Sequence, residues 1–287
     1  MGRPREFLPA TDRIELPALD VTESPAFALR GFRGRYRREG GIWMARNRLN
    51  YGDRDLWRYQ DIAGTIGFPN HWGGHSFGWI APEDCPPVSQ DRARGIEGKL
   101  ARQVYFEKYP EHFSLIQGER VLRQHCYANP EVQSVFSGWI KRFWRDNPEV
   151  EVLALSPMDN TGFCECQDCA RFGRDVSTRL HKFLKLVLDN AEEDFPGKQY
   201  RTFAYSVYKN APDTQVHPAL TIDYCMHDRC YKHLLDDPDC PRNSTARERM
   251  LRWMGRAAGG FTMYGYHYDA VRGTHSGYLM PLVPVIQ

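Results

Sequence analysis

Residues Glu151–Cys169 have the sequence EVLALSPMDNTGFCECQDC, which joins a strand to a loop rich in reactive side chains. Val152–Leu155 is a short apolar run of the kind that a fully buried strand shows, and Pro157 ends it. Asp159 and Asn160 follow directly, and three cysteines come next in the spacing C-x-C-x2-C. A run with helical periodicity lies beyond them. A strand, a loop with an acid and then a helix is the order typical of an active-site loop in a parallel α/β protein.

The rest of the chain repeats this rhythm of apolar run, polar end and helix. The other predicted strands are Phe27–Phe32, Asn47–Tyr51, His71–Trp79, Val121–Asn129, Tyr200–Val207, Leu220–Met226 and Phe261–Tyr266. Eight strands with intervening helices predict an α/β fold, a (β/α)8 TIM-type barrel, with an insertion after the third strand at residues 82–121. Residues 1–26 are expected to be an extended lead-in, and residues 27–287 the barrel domain. An open doubly wound sheet is the rival, but no G-x-G-x-x-G follows an early strand.

Several helices are marked by their period or by their ends. Apolar residues at helical spacing occur in Leu56–Ile66, and a further helix is predicted from about Arg92 to Tyr109. Asn129 is expected to cap a helix that begins at Pro130. The pair Thr245 and Glu248 has the spacing of a capping box. These signals place helices between the predicted strands.

Composition narrows the class of protein. The chain has 287 residues, a net charge of +2 and 41% hydrophobic residues, which is typical of a soluble globular protein and gives no reason to expect a nucleic-acid partner. No apolar stretch approaches ~20 residues, so no membrane span is predicted. The first residues lack the apolar core of a signal peptide. The compartment is therefore open: the chain is cytosolic, or it is a piece of a longer exported precursor.

In a barrel, the loops that follow the strands meet at one mouth, and polar residues of this chain fall on those loops. Aromatic rings beside hydrogen-bonding side chains suit sugars, which present apolar faces edged by hydroxyls. The candidates for substrate binding are Arg30, Asn47, His71, Trp72, His75, Asn129, Asn160, Tyr205, Tyr264 and His267.

Short stretches along most of residues 7–266 carry a family resemblance. They are Pro25–Gly31, Met44–Asn50, Tyr109–Phe113 with Gly118 and Arg120, Cys126–Val132, Asp159–Asn160 with the three cysteines, and Arg229, Cys230, His233, Cys240 and Asn243. They resemble a bacterial domain family of unknown function, number 4838, which is itself similar to the barrels of family 67 α-glucuronidases and family 20 hexosaminidases. The resemblance implies a glycosidase-like barrel. It also implies a member without the α/β domain that usually precedes the barrel, whose tail Arg5–Pro17 resembles.

Glycoside hydrolysis normally uses two carboxyl groups. Asp159 is the candidate acid, and partial burial at the mouth of the barrel is expected to raise its pKa. The alternative is that Asp159 only caps its own turn. Glu131, Asp228 and Asp269 are near other strand ends and are candidates for the second group. A substrate-assisted mechanism or a histidine base would replace a missing second carboxylate. Arg30, Arg46 or Arg48 would bind the carboxylate of an acidic sugar.

The cysteine loop predicts a structural site. Cys164, Cys166 and Cys169 are close enough in sequence to bind one tetrahedral zinc ion, with Cys126 as the fourth ligand and His125 or Cys230 as alternatives. Disulfides, including one between Cys230 and Cys240, are the second interpretation. An iron-sulfur cluster is the third, and the spacing matches neither ferredoxin pattern.

Together these features predict a carbohydrate-active barrel that cleaves or binds an acidic or N-acetylated sugar. A catalytically inert sugar-binding barrel is one alternative. A metal-dependent hydrolase, in which His71 and His75 ligate a catalytic metal, is another.

Overall fold

A computed structural model gives the fold. It describes residues 24–32, 38–52, 69–87 and 96–266, together with residues 13, 18, 20 and 22. The helix predicted at Leu56–Ile66 and the site candidates His267 and Asp269 lie outside the described residues.

Strands and helices alternate through most of the described chain. The strands are β1 (Gly31–Phe32), β2 (Tyr51–Gly52), β3 (His71–Gly74), β4 (Phe113–Ile116), β5 (Glu119–His125), β6 (Val152–Leu155), β7 (Gln199–Ala204), β8 (Leu220–Cys225) and β9 (Phe261–Tyr264). The α-helices are α1 (Arg38–Arg46), α2 (Ile96–Lys108), α3 (Pro130–Asp146), α4 (Gln167–Phe172), α5 (Val176–Asp194) and α6 (Pro241–Met254). Short 3₁₀ helices are Ser76–Trp79, Pro110–His112 and Ser206–Tyr208.

The main sheet is parallel and has the strand order β3-β6-β7-β8-β9. The short strands β1 and β2 form a separate parallel pair, and β4 and β5 form an antiparallel hairpin. Helix α3 packs beside α5, and both cover one face of the sheet with a continuous apolar core. The fold is therefore α/β with a mostly parallel sheet, and the strands of the described residues form these three sheets rather than one closed ring.

The predicted fourth barrel strand is wrong. Its residues form β5, which pairs with β4 in the hairpin, while β3 pairs directly with β6. The physical reason lies in the sequence of β5, Glu119–His125, which is polar and of which only the last two residues are buried. A strand inside a parallel sheet is covered on both faces and needs a nearly continuous apolar run, as β6 has.

The start of α3 is confirmed and the start of α6 is corrected. The side chain of Asn129 accepts hydrogen bonds from the amides of Glu131 and Val132, with Pro130 in the first turn. The capping box at Thr245 is wrong, because α6 begins at Pro241 and the Thr245 hydroxyl donates to the Pro241 carbonyl inside the helix. A proline at the first position was the better signal for that helix start.

None of the helices within the described ranges combines the length and the apolar character that crossing a membrane requires.

Two glycines end β3 and let it approach β6. Gly73 has φ +110°, a conformation that side chains other than glycine rarely adopt. A Cβ atom at Gly73 would lie 2.2 Å from the carbonyl oxygen of Ala154 in β6. The pairing of β3 with β6, and so the edge of the sheet beside the loop 156–162, requires glycine at this position.

We expect Gly73→Ala to destabilise the fold by about 3 kcal/mol or more, because the strain of the positive φ and the clash with the β6 backbone add. The matched control is Gly118→Ala, where φ is +85° but no atom lies within 4 Å of the added Cβ. That variant should lose only about 1 kcal/mol. Denaturant unfolding of the two variants measures the difference, and equal losses would contradict a close approach at Gly73.

Candidate active site

The loop after β6 is held in place from the β4–β5 hairpin. The side chain of Gln124, fully buried in β5, accepts from the amide of Met158 at 3.1 Å and donates to the Met158 carbonyl at 2.6 Å. It also donates to the backbone carbonyl of Asn160 at 3.0 Å. The Ser114 hydroxyl lies 2.8 Å from the carbonyl oxygen of Gly162. These bonds hold both ends of the segment that carries Asp159.

A cavity of about 430 Å³ opens beside this loop, at the carboxyl ends of β6 and β7. Its volume lies within the range of small-molecule binding sites. The lining residues are Arg123, Met158, Asp159, Asn160, Thr161, Gly162, Tyr205, Ser206 and Tyr208. The cavity therefore joins a carboxylate, a guanidinium and two phenols in one place.

The side chain of Asp159 is 68% exposed, so the expected burial of this carboxylate is not found. Its Oδ1 lies 3.9 Å from Nε2 of His75, which follows β3. The Nδ1 atom of His75 lies 2.5 Å from the carbonyl oxygen of Pro157 and donates to it, since a carbonyl only accepts. In the neutral ring, Nε2 then carries the lone pair and faces Asp159. The two side chains form an acid–base pair at the edge of the cavity.

Arg123 has no hydrogen-bond or ion-pair partner within the described ranges, although it lines the cavity. Its aliphatic stem lies against Gly162, where an added Cβ would be 2.7 Å from the Arg123 Cβ and Cγ atoms. The stem is therefore packed while the guanidinium stays available to an anionic group.

The phenols of the cavity remain neutral. Burial, followed by the charge of Asp159, raises the pKa of Tyr205, and burial raises the pKa of Tyr208 well above its usual value. The Tyr208 hydroxyl is buried and has no hydrogen-bond partner among the described residues. Ser206, between them, has φ +52°, and such backbone strain is concentrated at functional sites. Tyr205, which is half-buried, can donate a hydrogen bond to a ligand, whereas the Tyr208 hydroxyl is enclosed.

Four other predicted site residues have structural partners. Asn160 Oδ1 accepts from the amide of Gly162 and shapes the turn, so the turn is capped by Asn160. Asn129 caps α3. The ring of Trp72 packs against Trp139 and Phe143 on the helix side of the sheet. His71 is buried, and its Nδ1 lies 2.9 Å from the hydroxyl of Tyr51.

The other described residues predicted to bind substrate do not line the cavity. The guanidinium of Arg30 donates to the carbonyls of Phe27 and Arg48, and Asn47 donates to the carbonyl of Trp43. The ring of Tyr264 lies 4.9 Å from that of Tyr266 in the next stretch of chain. None of these residues lines the described cavity.

The other candidate carboxylates are engaged away from the cavity lining. Glu131 lies 2.9 Å from Nε2 of His112. Partial burial works to raise the pKa of Asp228, but the hydrogen bond and charge of Lys209, with the charge of Arg249, outweigh it and lower the pKa. Asp228 therefore stays ionised and is unsuited to donate a proton.

Four cysteines from two parts of the chain meet in one cluster, which we call the Cys126 cluster: Cys126, Cys164, Cys166 and Cys169. The Sγ atom of Cys126 lies 3.7 Å from that of Cys166 and 3.6 Å from that of Cys169. Four sulfurs at ~2.3 Å from one tetrahedral ion would lie about 3.8 Å apart, whereas a disulfide needs about 2.05 Å. The spacing fits a shared ion and not a disulfide.

The amides around these sulfurs also suit thiolates. The Leu115 amide donates to Cys164 and the Cys169 amide donates to Cys166. The alternative ligands are elsewhere. His125 packs among Phe113, Phe136 and Tyr105, and burial, helped by the charges of His112 and Arg102, lowers its pKa to about 3. Cys230 lies in a second group of side chains.

The sequence patterns do not indicate Arg123, Gln124 or Tyr208 as residues of the site. The first two lie on β5, which was assigned to the barrel, and Tyr208 lies in a short 3₁₀ helix without a pattern of its own. A usable signal was present, because Arg123 and Gln124 are polar residues in the middle of a supposedly buried strand.

Comparisons with known proteins give one strong result. The sequence matches the family described as "Domain of unknown function (DUF4838)" over residues 1–275. No curated protein matches the chain.

Two solved structures are similar at low identity. A β-galactosidase from Rahnella sp. R3 is 10% identical with a TM-score of 0.37, covering 78% of this chain and 47% of that one. An O-GlcNAc hydrolase from Thermobaculum terrenum is 11% identical with a TM-score of 0.37, covering 82% of this chain and 54% of that one. The chain thus spans about half the length of these proteins. Since the family match covers nearly all of the sequence, the chain belongs to the DUF4838 family.

Proposed function

We propose that this protein is a glycoside-hydrolase-like barrel that cleaves an acidic or N-acetylated sugar in the cavity beside Asp159. The observation that carries the proposal is the meeting of Asp159, Arg123 and Tyr208 around one cavity at the carboxyl ends of β6 and β7. Loops at those ends are where parallel α/β enzymes place their chemistry. The phenolic rings of the lining offer the apolar faces and hydrogen bonds that sugars use.

The barrel itself is part of the proposal, as a domain that starts at residue 27. Contacts between strands that are not neighbours support it. The Tyr51 hydroxyl of β2 lies 2.9 Å from His71 of β3, and the guanidinium of Arg201 in β7 lies 4.8 Å from the centre of the Tyr51 ring. Since β6 lies between β3 and β7, the sheet has to curve to bring these side chains together. Such curvature is that of a barrel wall.

Asp159 is proposed as the general acid. Its carboxyl proton would pass to the glycosidic oxygen as the bond from that oxygen to the anomeric carbon breaks. A sugar seated in the cavity would cover the exposed carboxyl and exclude water from it. The carboxylate left on Asp159 would regain its proton from the water that completes the hydrolysis.

Asp159 is the single carboxylate among the residues that line the described cavity. A sugar with a 2-acetamido group provides its own nucleophile, the acetamido oxygen, which would attack the anomeric carbon as the leaving group departs. Tyr205, a half-buried phenol of the cavity lining, would donate a hydrogen bond to that group. An N-acetylated substrate thus accounts for the lack of a second lining carboxylate, and the guanidinium of Arg123 would bind a carboxylate on an acidic substrate.

The same observation favours a second function, a barrel that binds sugar without cleaving it. A cavity with one lining carboxylate is sufficient for binding. The two functions differ in turnover, so the substitution below and a binding measurement separate them.

We expect Asp159→Asn to lower kcat/KM for a responsive aryl glycoside by at least about 100-fold, because the amide cannot donate the proton. A panel of 4-nitrophenyl glycosides, including N-acetylglucosaminide and glucuronide, supplies the assay. Asp194→Asn is the matched control, since Asp194 is also an exposed carboxylate but pairs with Lys141 on the helix side. Unchanged turnover in Asp159→Asn would remove this residue from the mechanism. Binding of the sugars by calorimetry with no turnover in the native protein would favour the second function.

Arg123→Met should weaken the binding of uronic acids by about 10- to 100-fold, the loss expected for charge-assisted hydrogen bonds, and leave neutral sugars within about twofold. Calorimetry with paired acidic and neutral monosaccharides measures the ratio. Arg145→Met, an exposed arginine in the last turn of α3, is the control. Equal losses for both sugars would show that Arg123 does not select for acid.

The Cys126 cluster is proposed to bind structural zinc. The sulfur spacing and the N–H···S hydrogen bonds described above support this, and the cluster joins the end of β5 to the loop of Asp159. Four protein ligands leave no coordination position for a substrate, so a structural role is favoured over metal-dependent hydrolysis at this site.

Removal of zinc should therefore lower the melting temperature, and Cys166→Ser should reduce the zinc content by one ion per chain. Elemental analysis of the purified protein, with circular dichroism for the melting curve, measures both effects. Cys85→Ser is the control, because Cys85 is buried outside the cluster. Equal zinc in native protein and Cys166→Ser would contradict the site.

A further inference from the structure

The loop between β8 and α6 contains a second group of metal-type ligands, separate from the Cys126 cluster. Cys230, His233 and Cys240 place one ligand atom each within 4.8 Å of the others. The Sγ atom of Cys230 lies 3.3 Å from Nδ1 of His233. A sulfur and a nitrogen bound to one tetrahedral zinc ion, at ~2.3 Å and ~2.0 Å, would lie about 3.5 Å apart. The observed pair is within a few tenths of an ångström of that separation.

A buried amide holds this loop in shape. Asn243, which is fully buried in the first turn of α6, accepts from the amide of Cys230 at 2.8 Å. Its Nδ2 atom lies within hydrogen-bonding distance of the carbonyls of Cys230, His233 and Leu234, at 3.0, 3.1 and 2.7 Å. Two of the three ligand residues are thus positioned by one side chain. Such support around the ligands is what metal sites use to orient them.

The third ligand residue is fixed by the helix. Cys240 is buried and occupies the N-cap of α6, a helix of fourteen residues. The sulfur of Cys240 is therefore held at the start of this helix. The site thus combines a buried sulfur at a helix end, a half-buried sulfur and an exposed imidazole.

We propose that Cys230, His233 and Cys240 bind a divalent cation of the zinc type, in addition to the ion proposed for the Cys126 cluster. Two thiolates and an imidazole are ligands that zinc prefers. Three protein ligands would leave the fourth coordination position for water. Because His233 is exposed, this position would face solvent. The bound ion would tie the β8–α6 loop, at the carboxyl end of the sheet, to the start of α6.

The observed geometry does not match a disulfide between Cys230 and Cys240, because both sulfurs are free and the His233 ring contacts Cys230. The proposal is also independent of sugar chemistry and of the Cys126 cluster. Its test counts ions and thiols rather than activity.

The test is elemental analysis of the full chain, purified with zinc and without chelator. His233→Ala and Cys240→Ser should each contain one ion fewer per chain than the native protein, whatever the content of the Cys126 cluster. Because His233 is exposed, its substitution does not disturb the core. Cys85→Ser should keep the native content.

Cobalt exchange gives a second measurement that separates the two sites. If both are filled, Cys240→Ser should remove about a third of the thiolate-to-cobalt absorbance, since this site supplies two of six thiolates. Cys166→Ser should spare the portion of the spectrum that His233→Ala removes. Equal metal content in native protein and His233→Ala would overturn the proposal, and so would a Cys230–Cys240 disulfide found by mass spectrometry of the freshly purified chain.

Discussion

The candidate site depends on the buried side chain of Gln124, which joins the β4–β5 hairpin to the loop after β6. Its amide makes hydrogen bonds on both sides, to Met158 and to the carbonyl of Asn160. A buried amide of this kind stabilises strongly when all its hydrogen bonds are made and destabilises when one is lost. The position of Asp159 therefore depends on a strand that lies outside the main sheet. The hairpin, which precedes α3, therefore helps to hold the loop of Asp159 in position.

Local sequence patterns predicted the strands and helices whose apolar residues form a continuous run or follow the helical period. The strand β6 and the amphipathic helices α3 and α5 followed from apolar runs and helical periods, and Asn129 from its position before a proline. The hairpin could not be predicted in the same way. β5 is polar and only partly buried, and it pairs with β4 across the short turn Gln117–Gly118, a local hairpin that apolar periodicity does not record. The sequence predicts eight barrel strands, but β5, which is counted as the fourth, pairs with β4 in the hairpin.

The residues of the candidate site show the same difference between local sequence patterns and tertiary contacts. Asp159 is predicted as a site residue because an acid follows a buried strand, and it lines the cavity. Cys126 is predicted beside the other cysteines because its strand is expected to neighbour β6; the four sulfurs do meet, although β5 lies outside the main sheet. Arg123 and Tyr208 were missed because their role comes from tertiary contacts: one packs on Gly162, and the other is buried in a 3₁₀ turn. Local sequence patterns thus indicate candidate reactive side chains at strand ends, but not the side chains that surround them. In the same way, the sequence contains Cys230 and His233, but only the fold shows that the Asn243 side chain hydrogen-bonds to the backbone of both.

The Cys126 cluster connects two points that are 43 residues apart in the chain. The segment between them contains all of α3 and β6. An ion shared by those sulfurs would act as a cross-link, and closing a loop of this length removes conformational entropy worth about 4 kcal/mol from the unfolded chain. Such a link would stabilise this half of the sheet without any added contact in the folded state. It would leave the turn between α3 and β6 free to vary in length, since loop-closure entropy changes only slowly with the number of residues enclosed.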